Sequence, residues 1–523
     1  MAGVGFGNGA IDLGGLLICQ IKNLIAVWNA HEGGNNNIGA SFYEPSPLPD
    51  GFFMLGSYSQ SNTNSVPGWV LAGKDATSYP STPILKLPID YTLVLNSTSL
   101  AINQDGVAYF WQPIPPNGYT VVGNVVTGSP EKPPLDKIRC VRSDFVVIQE
   151  NGDFVWSVGD ANSSYSFNVY SSMGDNGNMT ALLVPTGTFL VQGNGSTTSS
   201  VPYLKNVMEK FSAMPNMAQI QELIKEYSPV IYFHPDEDFF PSSVSWFFEN
   251  GGLLYTKGQE SNPVSIDPTG SNLPQGGSND GLYWLDLPID NAARGTVKSG
   301  NLQGAGAYIH IKPMLGGTCT DIAIWMFYPF NGPAKVKLDL INIDLGRVGE
   351  HVGDWEHVTL RVSNFDGELK RVYFAQHSKG VWLDGSDIEY QNDTKPVVYS
   401  SLHGHAAFPK PGINLIGNGN IGVRNDAAKG NMFMDTGVNY TIISADYLKP
   451  PIDEPSWLNY VREWGPKISY DFANEVSKVT MFLPGNLKRK LMDLFNSLPN
   501  EVFGEEGPTG PKWKDSWGGD ERI

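Results

Sequence analysis

Positive charge is scarce in this sequence, as are cysteine and long apolar runs. Its 35 lysines and arginines face 53 aspartates and glutamates, a formal balance of −18. Nucleic-acid binders draw most of their affinity from cationic side chains that neutralise phosphates, so nucleic acid is excluded as a partner. A uniformly basic membrane-binding face is excluded on the same ground. The three cysteines, Cys19, Cys140 and Cys319, lie far apart and form no CxxC pair. Neither a zinc ribbon nor a disulfide framework is expected, and they read as buried thiols of a reducing compartment. No apolar run approaches the roughly 18 residues that cross a bilayer, so no transmembrane segment is expected. The short run Leu16-Leu17-Ile18 lacks a preceding basic region, and no signal peptide is recognised. A cytoplasmic location, or one peripheral to membranes, is the expectation. Catalytic signatures are missing too: there is no P-loop, GxSxG elbow, GxGxxG after a strand, HExxH or EF-hand.

What is present is a folded, turn-rich chain. Its 523 residues exceed what one core usually serves. The 58 glycines and 37 prolines, spread along the chain, predict many short strands and turns. The fold class is therefore mainly β. Over residues 1–202 strands such as Tyr91-Thr92-Leu93-Val94-Leu95 alternate with Gly, Pro, Asn and Asp. Two stretches echo each other here: Pro49-Asp50-Gly51-Phe52-Phe53-Met54-Leu55-Gly56 and Pro116-Asn117-Gly118-Tyr119-Thr120-Val121-Val122-Gly123. Asp-Gly and Asn-Gly are turn dipeptides, so each copy predicts a tight turn into a buried strand. A duplicated unit implies a pseudo-symmetric, prism-like β domain with a third, degenerate copy at 154–192. Residues 203–228 carry apolar residues at helical spacing, interrupted by Pro215, and predict two short helices as a linker. Residues 229–470 return to strands, as a β-sandwich-like domain. The polar stretch 257–281 reads as a mobile loop, and 471–523 as a helical segment broken near Pro484 with an acidic, Gly-rich surface tail.

Five of the eight histidines fall between residues 351 and 405: His351, His357, His377, His403 and His405. They accompany an acidic knot, Gly349-Glu350-His351-Val352-Gly353-Asp354-Trp355-Glu356-His357. On an extended chain Asp354 and Glu356 share one face, with Trp355 and His357 on the other. His377 and the His403-Gly404-His405 pair follow two further strands, and loops at neighbouring strand ends would bring these groups together. A hard cation, Ca²⁺ or Mg²⁺, suits a site dominated by Asp354, Glu356 and Glu350. A His-rich subset with one carboxylate suits Zn²⁺ or Mn²⁺. The plain structural alternative makes His351 and His357 hydrogen-bonding braces of a Gly-rich loop. A second acidic cluster, His234-Pro235-Asp236-Glu237-Asp238, would add ligands to the same site if its strand lies alongside, but reads first as a solvated turn.

The blocks Gly51-Phe52-Phe53-Met54-Leu55-Gly56, Leu135-Asp136-Lys137-Ile138-Arg139-Cys140-Val141-Arg142-Ser143-Asp144-Phe145 and Phe240-Pro241-Ser242-Ser243-Val244 carry a resemblance. So do Gly353-Asp354-Trp355-Glu356-His357-Val358, His403-Gly404-His405-Ala406 and Gly504-Glu505-Glu506-Gly507-Pro508-Thr509-Gly510-Pro511-Lys512. Together they resemble, over nearly the whole chain, the plant family named after vacuolar protein sorting-associated protein 62. The first half is also similar to the adaptor-binding repeats of the large lipid-transfer protein thirteen of that sorting nomenclature, which implies recognition. Gly353-Asp354-Trp355-Glu356-His357 is similar to the His/Asp-Trp-Glu signature of necrosis-inducing plant cytolysins, which bind a divalent cation on a β-sandwich. One histidine of that signature is replaced by Gly353. Fern proteins associated with the family are insect-active defence proteins, which implies action on gut membranes.

Three functions remain open. The first is a non-enzymatic recognition protein that binds a membrane lipid, glycan or receptor, as a defence protein would. Its support includes Tyr165, Phe167 and Val169, which alternate with Ser164, Ser166 and Asn168 as a membrane-inserting hairpin would, although an ordinary half-exposed sheet strand explains the pattern equally well. The second is a metal-dependent hydrolase centred on Asp354, Glu356, His357, His377 and His403. The third is an intracellular vacuolar-trafficking adaptor.

Overall fold

The echo in the first half is one part of a threefold pattern. In the computed structural model, which describes residues 3–34, 37–64, 68–77, 82–150, 152–159, 167–173, 182–193, 199–377, 379–467, 472–481, 483–497 and 508–523, the same six-strand unit occurs three times. Its second, third and fifth strands form one antiparallel sheet: Leu24–Ala30, Ala40–Pro45 and Tyr58–Ser61, then Asp90–Asn96, Tyr109–Ile114 and Val125–Thr127, then Asp153–Val158, Phe167–Ser171 and Phe189–Gln192. Its first, sixth and fourth strands form another, as in Leu85–Lys86, Cys140–Arg142 and Tyr119–Thr120. Even the irregularities repeat. A bulge separates Ala26 from Trp28, Leu93 from Leu95 and Phe154 from Trp156. Each bulge re-aims the following side chain inward. Trp28, Leu95 and Trp156 thereby join Phe42, Phe110, Phe167, Val169 and Phe189 in one buried cluster. Ring centroids stand 5.0–6.2 Å apart, mostly edge-to-face.

The repeated glycines have a packing reason. A Cβ on Gly123 would lie 2.6 Å from Thr188 Cβ and 2.8 Å from the Gly56 Cα. The three repeats meet there backbone to backbone, with Ser57 N–H donating to Asn124 O (2.8 Å) and Asn124 N–H to Phe189 O (2.9 Å). Of the stretch whose alternation fits either a membrane hairpin or an ordinary strand, Ser164, Tyr165 and Ser166 lie outside the described residues. Phe167 and Val169 belong to the aromatic cluster, so that strand is an ordinary core strand.

The chain divides into two units. The first holds Met1–Pro215, Pro313–Thr320 and Ser363–Glu368; the second holds Asn216–Lys312, Asp321–Val362 and Leu369–Ile523. Residues 313–320 and 363–368, read from sequence with the later strands, join the first unit through Phe365 in its core and the Asn206 side-chain N–H bond to Gly316 O (2.7 Å). Of the two linker helices expected at 203–228, only Met217–Tyr227 forms, with an Asn216/Gln219 capping box. The other stretch begins as strand Val201–Lys205, which pairs with Val146–Gln149 and Leu183–Val184. Helical spacing there is overridden by a strand partner the sequence alone does not reveal.

In the second unit Ala307–Met314, Cys319–Asn331, His351–Ser363, Leu369–Gln376, Lys379–Asp384 and Tyr440–Ser444 build a six-stranded sheet. His351–Ser363 lies inside it, between Leu369–Gln376 and Cys319–Asn331. A four-stranded sheet of Lys335–Leu338, Ile341–Asp344, Gly412–Asn418 and Ile421–Ala427 is covered by helices Phe472–Thr480 and Gly485–Ser497. Two expectations change here. Residues 257–281 are anchored, because Val264–Ser265 pairs with Leu253–Leu254 and both Ile266 and Leu273 are buried. The tail is no surface appendage: 501–507 lie outside the described residues, but Thr509, Pro511, Ser516 and Glu521 are buried.

Gly123→Val is expected to destabilise the first unit by about 1–3 kcal/mol, since no void accepts the added carbons. Denaturant unfolding followed by tryptophan fluorescence reads this; an unchanged midpoint would contradict the packing described.

Candidate functional site

Strand His351–Ser363 is buried along both faces, yet its sequence alternates charge on each. Gly353 starts the pattern. Its φ of +68° is a conformation β-carbons resist, and a Cβ there would fall 2.3 Å from the Trp464 carbonyl oxygen. From that kink Asp354 and Glu356 point to one side, and Trp355 and His357 to the other.

On the acidic side, His351, Asp354, Glu356, His377 and His403 line a cavity of about 70 Å³, closed by Asn331, Gly332, Lys335 and Asn425 among others. That is room for several water molecules. Asp354 Oδ2 is 2.9 Å from His405 Nδ1, and His405 Nε2 is 3.0 Å from the Phe239 carbonyl oxygen. The His405 ring lies flat on Tyr328 at 3.8 Å. His405 thus stands behind Asp354 and orients it. Glu356 has no recorded hydrogen bond among the described residues. His351 Nδ1 and both ring nitrogens of His403 are buried without a hydrogen-bond partner among the described residues. Such atoms are costly unless water or a ligand satisfies them.

Backbone strain is concentrated here. His377, His403 and His405 have φ of +60°, +65° and +55°, a region that side-chain-bearing residues seldom occupy and that tends to mark functional loops. Glu237 holds the loop in place: its carboxylate accepts from the N–H groups of Asp238 (3.1 Å), Phe239 (2.9 Å) and His403 (2.8 Å). The segment read as a solvated turn therefore has a buried carboxylate as its brace. Gly332 permits the close approach of His403, since a Cβ would lie 2.9 Å from the His403 Cβ.

The electrostatics follow from two carboxylates in one dry place. Burial pushes the Glu356 carboxyl well above its ordinary range, Asp354 adds to this, and Lys514 opposes it. Asp354 is also penalised by burial, but His405 and His351 outweigh the penalty and hold it below its usual value. Burial lowers His351 and His403, with nearby Asp354 and Glu237 working against that.

On the opposite side His357 stacks on Trp325 at 4.2 Å, and its Nε2 lies 2.9 Å from Glu521 Oε2. Thr359 donates to Glu521 Oε1 (2.6 Å), and Lys312 Nζ is 3.7 Å away. Arg361 binds Asp321 at 2.9 and 2.8 Å and Asp520 at 2.6 Å. A second cavity of about 300 Å³ shares His351, Asp354, Glu356 and His377 with the first and adds His357, Tyr373, Trp513, Lys514 and Glu521.

Of the eight residues singled out in the sequence, the first cavity gathers five and His405 supports it from behind. His357 faces the tail instead, where its Nε2 meets Glu521 Oε2. Glu350 turns to Arg347 (3.4 Å) and lines neither cavity. Among the described residues no group of three or more His, Cys, Asp or Glu side chains stands ready around a metal ion. Sequence reading missed Glu521, Lys514 and Asn425. A signal for Glu521 existed: His357, Thr359 and Arg361 occupy alternate positions of one strand face, and a buried polar stripe demands a polar partner.

A family model described as vacuolar protein sorting-associated protein 62 matches residues 1–521. No curated protein matches the chain. Among solved structures, GNIP1Aa from Chromobacterium piscinae is 19% identical over 41% of this chain and 41% of its own, with a TM-score of 0.30. Necrosis and Ethylene inducing Protein 2 from the causal agent of cocoa's Witches Broom disease is 14% identical over 36% of this chain and 67% of its own, TM-score 0.20. The non-toxic HaNLP3 protein is 10% identical over 44% of this chain and 77% of its own, TM-score 0.23. No helix among the described residues is long and apolar enough to cross a membrane.

Burial raises the Glu521 carboxyl, but His357, Lys312 and Thr359 more than offset this and hold it at about 2. A depressed carboxylate contributes stability above its unfolded pKa and loses it as pH falls through the folded one. Acid titration from about pH 4.5 to 2 should therefore cost up to about 3 kcal/mol. Glu521→Gln should be less stable at neutral pH and should lose most of that acid dependence. Parallel pH profiles for the two proteins would refute the assignment.

Proposed function

The chain belongs to the vacuolar protein sorting-associated protein 62 family, and from that premise we propose a non-enzymatic recognition protein that binds the polar head of a membrane component or glycan. Binding would run through a hydrated divalent cation at Asp354 and Glu356. One observation carries this reading: two buried carboxylates two residues apart open onto one polar cavity beside histidine nitrogens that lack partners. A cation between them would offset the burial, and the neighbouring Asp354 charge, that push the Glu356 carboxyl upward.

The donor set favours Mg²⁺ or Ca²⁺ over Zn²⁺. His405 is engaged with Asp354 and the Phe239 carbonyl and is no ligand, which leaves the two carboxylates as the centre of the donor set. Mg²⁺ commonly keeps several waters and takes one or two carboxylates. The unpartnered nitrogens of His351 and His403 would accept from or donate to those waters, and His405 would fix the ligating carboxylate as outer partners do. The larger neighbouring cavity, walled by Trp513, Tyr373 and Lys514, would take the ligand. Apolar ring faces with a few convergent polar groups suit a sugar-sized polar molecule. A membrane-active defence role is the finer form of this reading, and permeabilisation of lipid vesicles or insect gut cells tests it.

Calorimetric titration with Mg²⁺ and Ca²⁺ in two buffers of different ionisation enthalpy should show about one proton released per cation. The sign follows from the raised Glu356 pKa: the cation displaces its proton, so affinity rises with pH. Asp354→Asn and Glu356→Gln should abolish binding, and chelation should lower the melting temperature of the native chain. Silent titrations with melting unmoved by chelator would remove the cation. Chelator-insensitive or absent retention on glycan arrays and vesicles would remove the recognition role.

A further inference from the structure

We propose that the turn Asp339-Leu340, with the helix beside it, is a tip that docks peripherally onto anionic lipid membranes. Strands Lys335–Leu338 and Ile341–Asp344 form a tight antiparallel hairpin, Leu338 paired with Ile341. Asp339 takes φ +55° at the turn. Turns of this kind favour Gly, Asn and Asp, yet Leu340 stands at the apex with 95% of its surface exposed, and Ile341 with 45%. A leucine in that place contributes nothing to the hairpin. It is suited to partition into something apolar outside the protein.

The surroundings state what that is. Helix Gly485–Ser497 buries Leu491, Leu494 and Phe495 against Val336 and Leu338 of the hairpin, and Lys490 Nζ reaches Asp339 Oδ2 at 2.5 Å. Lys488 and Arg489, both exposed, lie on that helix one and two residues before Lys490. Lys337 alternates with the core residues Val336 and Leu338 and so faces outward on the hairpin's other side. Among the described residues no ion pair is recorded for Lys337, Lys488 or Arg489. In a chain of formal charge −18, exposed cations with no ion pair among the described residues, on the helix packed against the leucine-tipped hairpin, offer an anionic surface a local point of attachment. Charge farther than a Debye length, about 8 Å at physiological ionic strength, is screened, so the local patch decides the contact. Each Lys or Arg near an anionic bilayer adds attraction, and the leucine adds apolar burial.

This surface does not rest on the cation reading. Lys335 begins the hairpin at the cavity wall, and the apex is five residues further on, roughly 15 Å along the strand. The two sites can therefore fail separately.

The test uses the full chain with chelator present, sedimented with phosphatidylcholine vesicles with or without phosphatidylserine. Retention is expected only with phosphatidylserine and should disappear at high salt. Leu340→Ser, and the double variant Lys488→Glu with Arg489→Glu, should each weaken partition by about tenfold or more. Their melting should match the native chain, since all three side chains are exposed. Leu340→Trp should add blue-shifted emission on mixing with phosphatidylserine vesicles. No retention, equal retention on both vesicle types, or variants that bind as the native chain does would each overturn the proposal.

Discussion

Charge taken out of water must be answered, and one strand makes that demand five times. His351, Asp354, Glu356, His357 and Arg361 sit in a segment buried on both faces, where an unpaired ion costs several kcal/mol. Much of the second unit's irregular structure can be understood as the reply. The tail supplies Asp520 and Glu521 to Arg361 and His357. Strained loops bring His405 to Asp354, and buried Glu237 keeps those loops from relaxing. Glu356 and His351 Nδ1 are left without a hydrogen-bond partner among the described residues, and burial pushes the Glu356 carboxyl well above its ordinary range. The cavity is where the reply is incomplete.

The two units reach rigidity by different means. In the first, an aromatic cluster is assembled from three copies of one strand plan, and close backbone approach at Gly56 and Gly123 makes the junction intolerant of side chains. Its specificity is steric. In the second, apolar packing around Trp325, Trp355, Trp457 and Trp464 coexists with charged pairs of demanding geometry. Replacing such pairs by apolar residues is often neutral for stability, which makes their presence more informative about binding than about folding.

What could be read from sequence was whatever is local. Period-two alternation placed Asp354 and Glu356 on one face and His357 on the other; turn dipeptides placed Gly51 and Gly118 at positive φ; Pro484 separated two helices. The repeat was visible as two copies because Gly56 and Gly123 are held by the same packing constraint. Its full six-strand extent was not, since strands as short as Leu85–Lys86 leave almost no periodicity to detect. Long-range pairing was equally hidden. Val201–Lys205 has helical spacing but a strand partner, and Glu521 looks like solvated tail until His357 is found opposite it. The histidines were found as a group by their clustering in the sequence. Their separate duties, lining, bracing or tail-binding, depend on contacts no spacing encodes.

The tail also sets an order of events in time. Glu521 lies 164 residues beyond the histidine it meets, and closing so long a loop is slow compared with forming the hairpins between them. During synthesis the strand bearing His357 and Thr359 leaves the ribosome long before Glu521 exists, whereas Arg361 already has Asp321. Until Glu521 arrives, that part of the sheet face lacks its buried acceptor, so the stretch bearing Glu521 acts as a late fastener of this unit.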